Sequence, residues 1–263
     1  VTIAAGTNAV ISQQAIVTRP RLWDTTQPNR YRAYTIVSVD GKPVDVYDTP
    51  FGIRSIKFTA RDGFLLNGRR VEIRGVCNHH DLGALGAAIN NRALERQLEI
   101  LKAMGCNSIR TSHNPPAPDL LDLADRMGFL IWDEAFDCWV WGKMYNDYNQ
   151  LWDGWHVKDL QALVRRDRNH PSVIIWSIGN EVVEQLKPDL TRHLADIVRS
   201  EDPTRPVSNG YNNPDGGRDS GAAVHIDVMG INYGFGGQER FDKDPRYRDK
   251  PTVGSETVSC ISS

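Results

Sequence analysis

Cysteine is scarce in this 263-residue sequence: Cys77, Cys106, Cys138 and Cys260 are widely spaced and form no Cys-x-x-Cys pair. Neither a structural zinc site nor a dithiol redox centre is indicated, and buried free thiols are expected. A net charge of either sign is missing as well. With 31 Lys+Arg against 33 Asp+Glu the formal charge is -2, which argues against the basic face a nucleic-acid partner requires. Long apolar runs are absent: hydrophobic content is 40% and mean hydropathy is -0.45, so a core can be buried but no membrane span is expected. No glycine-rich phosphate loop occurs either. Gly83, Gly86 and Gly105 have the wrong spacing, so neither a dinucleotide nor a nucleoside triphosphate is supported. No signal peptide opens the chain, but Val1 is not a natural start, so the compartment (periplasmic, secreted or cytoplasmic) is left open.

What is present divides the chain in two. Residues 1–62 read as short strands rich in β-branched and aromatic residues: Ala15 to Val17, Tyr31 to Val39, Val44 to Tyr47 and Ile53 to Thr59. Asp40-Gly41 is a two-residue hairpin turn, and the segment is predicted to be an antiparallel portion of a β-sandwich. A second hairpin, Phe64 to Ile73, turns on Asn67-Gly68. From there strands alternate with amphipathic helices. Strands are expected at Val71 to Val76, Cys106 to Arg110, Phe129 to Trp132, Val173 to Ile178, Pro206 to Ser208, Val228 to Asn232 and Thr252 to Gly254. Helices are expected at Arg92 to Met104, from Pro118 to Met127, His156 to Arg166 and Leu190 to Arg199. Seven parallel strands with helical crossovers make residues 63–263 an α/β, (β/α)8 TIM barrel with its eighth strand missing.

Six of these strands run into polar clusters, the face on which barrel enzymes keep their chemistry. They are Asn78 to Asp81, Thr111 to Pro115, Asp133-Glu134, Asn180-Glu181, Asn232-Tyr233 and Ser255-Glu256. The adjacent histidines His79 and His80 would point to opposite faces of an extended strand, so a metal is the weaker reading. Glu181 and Glu256 lie 75 residues and three strand steps apart, which places them on opposing walls of the mouth. Glycoside hydrolysis needs such a pair: one carboxylic acid protonates the leaving oxygen, and a carboxylate on the far side of the ring attacks the anomeric carbon. Trp132, Trp139, Trp141 and Tyr233 fall at or beyond strand ends, where sugar faces can stack; rim or core packing is the alternative for Trp139 and Trp141.

These clusters, taken with Leu66-Asn67-Gly68, Arg74 to His80, Asn107 to Pro115, Asp133 to Phe136, Arg165 to Glu181 and Gly254-Ser255-Glu256, resemble glycoside hydrolase family 2 over residues 66–256. That family holds β-galactosidases, β-glucuronidases and β-mannosidases. The resemblance implies that Glu181 is the general acid/base and Glu256 the nucleophile. It implies that Asn180 holds the sugar 2-hydroxyl and that His79, His113 and Tyr233 line the sugar site or orient the nucleophile; Asp133 and Trp139, at and beyond the third strand's end, are expected beside them as substrate-binding residues. The wording from Asp133 to Trp139 and Gly254 to Thr257 is closer to the β-galactosidase branch. Where magnesium-using members continue with a glutamate and a histidine, this chain has Phe136 to Val140, so no cofactor is expected. The family's N-terminal jelly-roll domain and eighth barrel strand have no counterpart, and residues before Val71 look like a shortened immunoglobulin-like domain. The expected partner is a carbohydrate substrate, with neither nucleic acid nor membrane; a homo-oligomer is left open. The rival readings are a β-glucuronidase or β-mannosidase of the same family, and an inactive truncated barrel that only binds carbohydrate.

Overall fold

The first 20 residues carry no regular structure, and the strand expected at Ala15 to Val17 does not form: that stretch is exposed and without a ladder partner. The computed structural model describes residues 1–234, 241 and 243–258. Strands β1 (Tyr31–Val39) and β2 (Lys42–Phe51) form an antiparallel hairpin with a register shift between Val37 and Ser38. Its turn residues Asp40 and Gly41 both have positive φ, 48° and 75°, as a two-residue turn requires. Strands β3 (Ile56–Thr59), β4 (Gly63–Leu66) and β5 (Arg69–Arg70) make a second antiparallel sheet, turning at Asn67-Gly68.

Seven parallel strands follow, paired strictly in chain order: β6 (Gly75–His79), β7 (Ser108–Ser112), β8 (Leu130–Glu134), β9 (Val173–Asn180), β10 (Val207–Tyr211), β11 (Val228–Asn232) and β12 (Thr252–Glu256). The crossovers carry α1 (Asn91–Ala103), α2 (Pro118–Met127), α3 (Trp152–Asp167), α4 (Pro188–Glu201) and α5 (Pro214–Asp219). Local chemistry sets their ends. The Asn90 side chain accepts the Ala93 N–H at the start of α1, Pro118 opens α2, and Gly128 closes α2 in the left-handed region. The sheet is curled: the Cys77 Sγ on β6 lies 3.2 Å from the carbonyl of Ser255 on β12. Cys77 is therefore not the buried thiol expected, because its strand has a neighbour on one side only among the described residues. Cys138 is buried, Cys106 half-buried, and Cys260 lies outside the described residues.

Six of the seven strands extend further toward their polar ends than their hydrophobicity suggests, β6 among them although it begins at Gly75 rather than Val71; β11 has the expected bounds. The ladders explain this: Asn78 pairs with Thr111, His79 with Ser112, and Asn232 with Glu256. Polar residues at these ends thus belong to the strands rather than to the loops after them.

The two faces of the sheet carry two cores, divided by alternation along β8 and across the register irregularities of β9. Ile131, Val173, Trp176 and Ile178 face the helices, meeting Leu98, Leu121, Val164 and Leu194. Leu130, Trp132, Ile174 and Val228 fill the barrel interior, where Trp23, Phe64 and Leu66 join them. Trp132 is thus a packing residue and not an aromatic of the mouth. Asp125 on α2 fastens this end. Its backbone carbonyl accepts the Trp23 indole N–H at 2.9 Å, and its carboxylate accepts the Ser172 N–H at 3.0 Å and contacts His170 Nδ1 at 2.7 Å.

Candidate active site

The inward positions at the carboxyl ends of β7, β8, β9, β11 and β12 converge on one guanidinium. Arg110 is buried on β7. Its Nη1 donates to Glu256 Oε1 at 2.7 Å, its Nη2 to Asn180 Oδ1 at 2.7 Å, and its Nε to Glu134 Oε2 at 3.0 Å. Glu134 is fully buried, a costly place for a charge unless it is paired. It is paired several times over: Ser177 Oγ donates to it at 2.7 Å, and His113 Nδ1 stands 2.7 Å from its other oxygen. The His113 Nε2 then faces Glu256 Oε1 at 3.5 Å, and the His79 ring packs edge-on against His113 at 5.2 Å.

The second carboxylate joins the same network from the opposite side. Asn232 Nδ2 donates to Glu181 Oε1 at 2.8 Å and to Asn180 Oδ1 at 3.0 Å, and Ser255 Oγ donates to Asn232 Oδ1 at 2.6 Å. Asn180 Oδ1 is therefore the meeting point: Arg110, which grips Glu256, and Asn232, which grips Glu181, both donate to it. The Asn180 amide nitrogen donates to Asp137 at 2.9 Å, and Lys143 pairs with the same Asp137 oxygen at 2.6 Å. Space for the guanidinium comes from Gly210 on β10, where a Cβ would stand 2.8 Å from Arg110 Nη2. Glu181 and Tyr233, each just past its strand, sit in the left-handed region at φ 46° and 56°, a strain that non-glycine residues carry chiefly where function demands it.

The electrostatics distinguish Glu256. Burial by itself would raise its pKa, but hydrogen bonds from Tyr233 and Arg110 and the charges of Arg110 and His113 outweigh that, and the net shift is downward. Glu256 is held as the anion. Arg110 is shifted the other way: its burial favours the neutral form, and the charges and hydrogen bonds of Glu134 and Glu256 more than reverse it.

Of the residues expected from the sequence, His79, His113, Asn180, Glu181, Tyr233 and Glu256 fall together here. Two do not. Asp133 sits one position before Glu134, so strand alternation turns it to the helix side, where it is fully buried. Burial first, and the neighbouring Asp167 carboxylate second, hold its carboxyl well above the ordinary carboxylate range. Trp139 is also fully buried, its indole N–H donating to the Ile178 carbonyl at 2.8 Å, so it packs behind β9 and presents no face to a sugar. Arg110, Ser177 and Gly210 were not singled out from sequence, and Glu134 and Asn232 were named only as members of strand-end clusters, with no role. The signal available was slight: Arg110 follows Ile109 in a strand, and Glu134 closes one that begins Leu130-Ile131-Trp132, so each charge sits in a strand that buries apolar residues and requires a partner there.

The sequence pattern of the TIM barrel domain of glycosyl hydrolases family 2 matches residues 57–255, and a second pattern, glycosyl hydrolases family 2, matches residues 1–54. Beta-galactosidase BoGH2A of Bacteroides ovatus is 44% identical over 98% of this chain and 34% of its own length. A beta-glucuronidase of Bacteroides fragilis is 30% identical over 81% of this chain and 31% of its own. Among solved structures, a glycosyl hydrolase family 2 member from Bacteroides cellulosilyticus superposes with a TM-score of 0.86 at 42% identity, covering 90% of this chain and 31% of that one. The chain thus spans about a third of the length of the relatives it matches.

Proposed function

Because the chain belongs to glycoside hydrolase family 2, we propose that it carries the catalytic barrel of a retaining exo-β-glycosidase that removes terminal β-galactosides. One observation bears most of the weight. A single hydrogen-bonded network holds two glutamates from distant strands, one kept anionic by Arg110 and the other held through Asn232. In this reading residues 1–62 are part of an immunoglobulin-like domain and residues 63–263 the barrel.

Glu256 attacks the anomeric carbon as the glycosidic C–O bond breaks, and Glu181 gives its proton to the departing oxygen. Glu181 then takes a proton from water, which displaces Glu256 from the glycosyl-enzyme and releases the sugar with retained configuration. Arg110 and His113 fix the attacking carboxylate. Asn180 has an amide N–H beyond the one it gives Asp137, and this N–H is suited to the sugar 2-hydroxyl. His79 and Tyr233 flank the ring, and the substrate is a carbohydrate with no further partner required.

The β-galactoside assignment rests on the 44% identity to a β-galactosidase, and the relatives named β-glucuronidases supply the second reading. Aryl β-galactoside and aryl β-glucuronide, each offered to wild type and to Glu256→Gln, test both. The expected result is galactoside turnover that falls by about 10³-fold or more in the variant, since the nucleophile's chemistry is lost. Undiminished turnover in the variant would remove Glu256 from its role, and preference for the glucuronide would replace the sugar assignment alone.

A further inference from the structure

Away from the barrel mouth, α3 and α4 bring two imidazoles together: His156 Nε2 and His193 Nε2 stand 3.3 Å apart. From this pair we infer a binding site for a first-row divalent cation of the zinc and copper class, clipping the two helices. Two nitrogens bound to one tetrahedral ion at zinc–nitrogen lengths of about 2.0–2.1 Å lie roughly 3.3–3.4 Å from each other. The observed separation already has that value.

The ring of His156 is also prepared to be a ligand. Its Nδ1 lies 2.6 Å from the carbonyl of Trp152, one turn earlier. A carbonyl oxygen only accepts, so Nδ1 carries the hydrogen and the neutral ring leaves its lone pair on Nε2. Protein-bound metals commonly use histidines oriented by such a bond from the other ring nitrogen to a backbone carbonyl. The Trp152 indole stacks on the same ring, with centroids 4.5 Å apart and planes 4° from parallel, so the lone pair has a fixed direction. His193 is exposed on α4 and meets it edge-on at 5.5 Å.

Without an ion, His193 gives its Nε2 hydrogen to His156. On binding, that hydrogen moves to Nδ1 of His193 and both Nε2 lone pairs face the ion, with no net change in protonation. Asp189 and Asp196 lie four residues before and three after His193, on the same side of α4. Asp189 pairs with Arg192 at 2.8 Å and Asp196 with Arg199 at 3.5 Å, so both exposed carboxylates are held by arginines rather than by the pair of imidazoles. Among the described residues no group of three or more His, Cys, Asp or Glu converges in a ligand geometry, so water completes the sphere. An all-imidazole pair with waters suits zinc, copper and nickel and discriminates against magnesium and calcium, which favour oxygen.

Calorimetric titration of the 263-residue chain with zinc chloride in a non-chelating buffer tests the site, beside His193→Gln and His156→Gln. The expected result is one zinc per chain in the wild type and affinity weaker by roughly tenfold or more in each variant. Cobalt(II) added to the wild type should develop the visible absorption of a four-coordinate nitrogen-ligated ion, and magnesium should not compete. His193 is on the surface, so its replacement leaves the fold intact and the comparison interpretable even if His156→Gln disturbs the Trp152 stack. Equal zinc affinity in wild type and His193→Gln would overturn the proposal by placing the ion elsewhere. Absence of saturable binding up to millimolar zinc would reduce the pair to an ordinary imidazole hydrogen bond and overturn it equally.

Discussion

At the scale of single residues, two buried ionisable groups one strand apart do opposite things. Arg110 gathers Glu134, Glu256 and Asn180 in a fork that lysine cannot reproduce. Arg110→Lys keeps the charge and loses the geometry. It should lower kcat/KM by about 10²-fold, the scale of a misplaced catalytic group. The pH–rate profile carries the sharper sign. Glu256 has a pKa below the ordinary value of 4.5, so the acid limb of kcat/KM belongs below that pH in the wild type and should move upward in the variant. Asp133, by contrast, is a group the proposed chemistry does not use. Neither of its oxygens has an N–H or hydroxyl donor, and it faces Asp167. A carboxyl whose pKa is raised in the folded state contributes stability fully below its unfolded value, near 3.8, and loses it as pH rises toward the folded value. Asp133→Asn should therefore be the more stable protein at pH 7, by about 1–3 kcal/mol, with the gap closing in acid; thermal unfolding between pH 4 and 8 measures it.

Helices and strands were largely legible from hydrophobic period and turn chemistry: Asp40-Gly41, Asn67-Gly68, Pro118 and Gly128 sit where their backbone angles are needed. The strand ends were less legible. A run such as Leu130 to Glu134 reads as a short apolar strand followed by a polar loop, yet all five residues are buried in one strand. Inside a barrel mouth polarity no longer signals solvent, and only the partners that neutralise it, Arg110 for Glu134, reveal the strand. The same logic hid Gly210. A glycine inside a strand suggests close approach, and here the approaching group is Arg110 from across the interior. Gly210→Ala puts a methyl 2.8 Å from Arg110 Nη2 and 3.4 Å from the Asn180 and Asn232 side-chain oxygens. Its expected signature is a loss of about tenfold to a hundredfold in kcat/KM with cooperative unfolding retained, read by parallel kinetics and calorimetry.

For the molecule as a whole, the chemistry and the fastening occupy opposite ends of the same strands. The N-terminal segment meets the barrel through Trp23, and through Gly52, where an added Cβ would strike Pro171 at 2.6 Å. His170, just before β9, is held by Asp125. Burial lowers its pKa, but the Asp125 hydrogen bond and charge exceed that effect and the net shift is upward. A histidine raised in this way contributes stability fully below its unfolded value, near 6.5, and loses it as pH climbs through the folded value. His170→Gln should consequently be less stable at pH 6, by about 1–3 kcal/mol, and should converge on the wild type in mildly alkaline solution. Denaturant titrations at the two pH values distinguish this from a uniform loss.

The Asp125 clasp reaches further than the fastening it provides. β9 runs from Val173 to Asn180 with an extra residue against each neighbour: Ile131 and Trp132 pair with Val173 and Ile175, and Ser208 and Gly210 with Ser177 and Asn180, so that Ser177 and Asn180, three positions apart, both reach the mouth. Sliding its foot by a single position would displace both irregularities against β8 and β10, and Ser177 and Asn180 would no longer meet Glu134 and Arg110. The carbonyl and carboxylate of one aspartate at the base thus serve as an index mark from which the far end of the rod is counted.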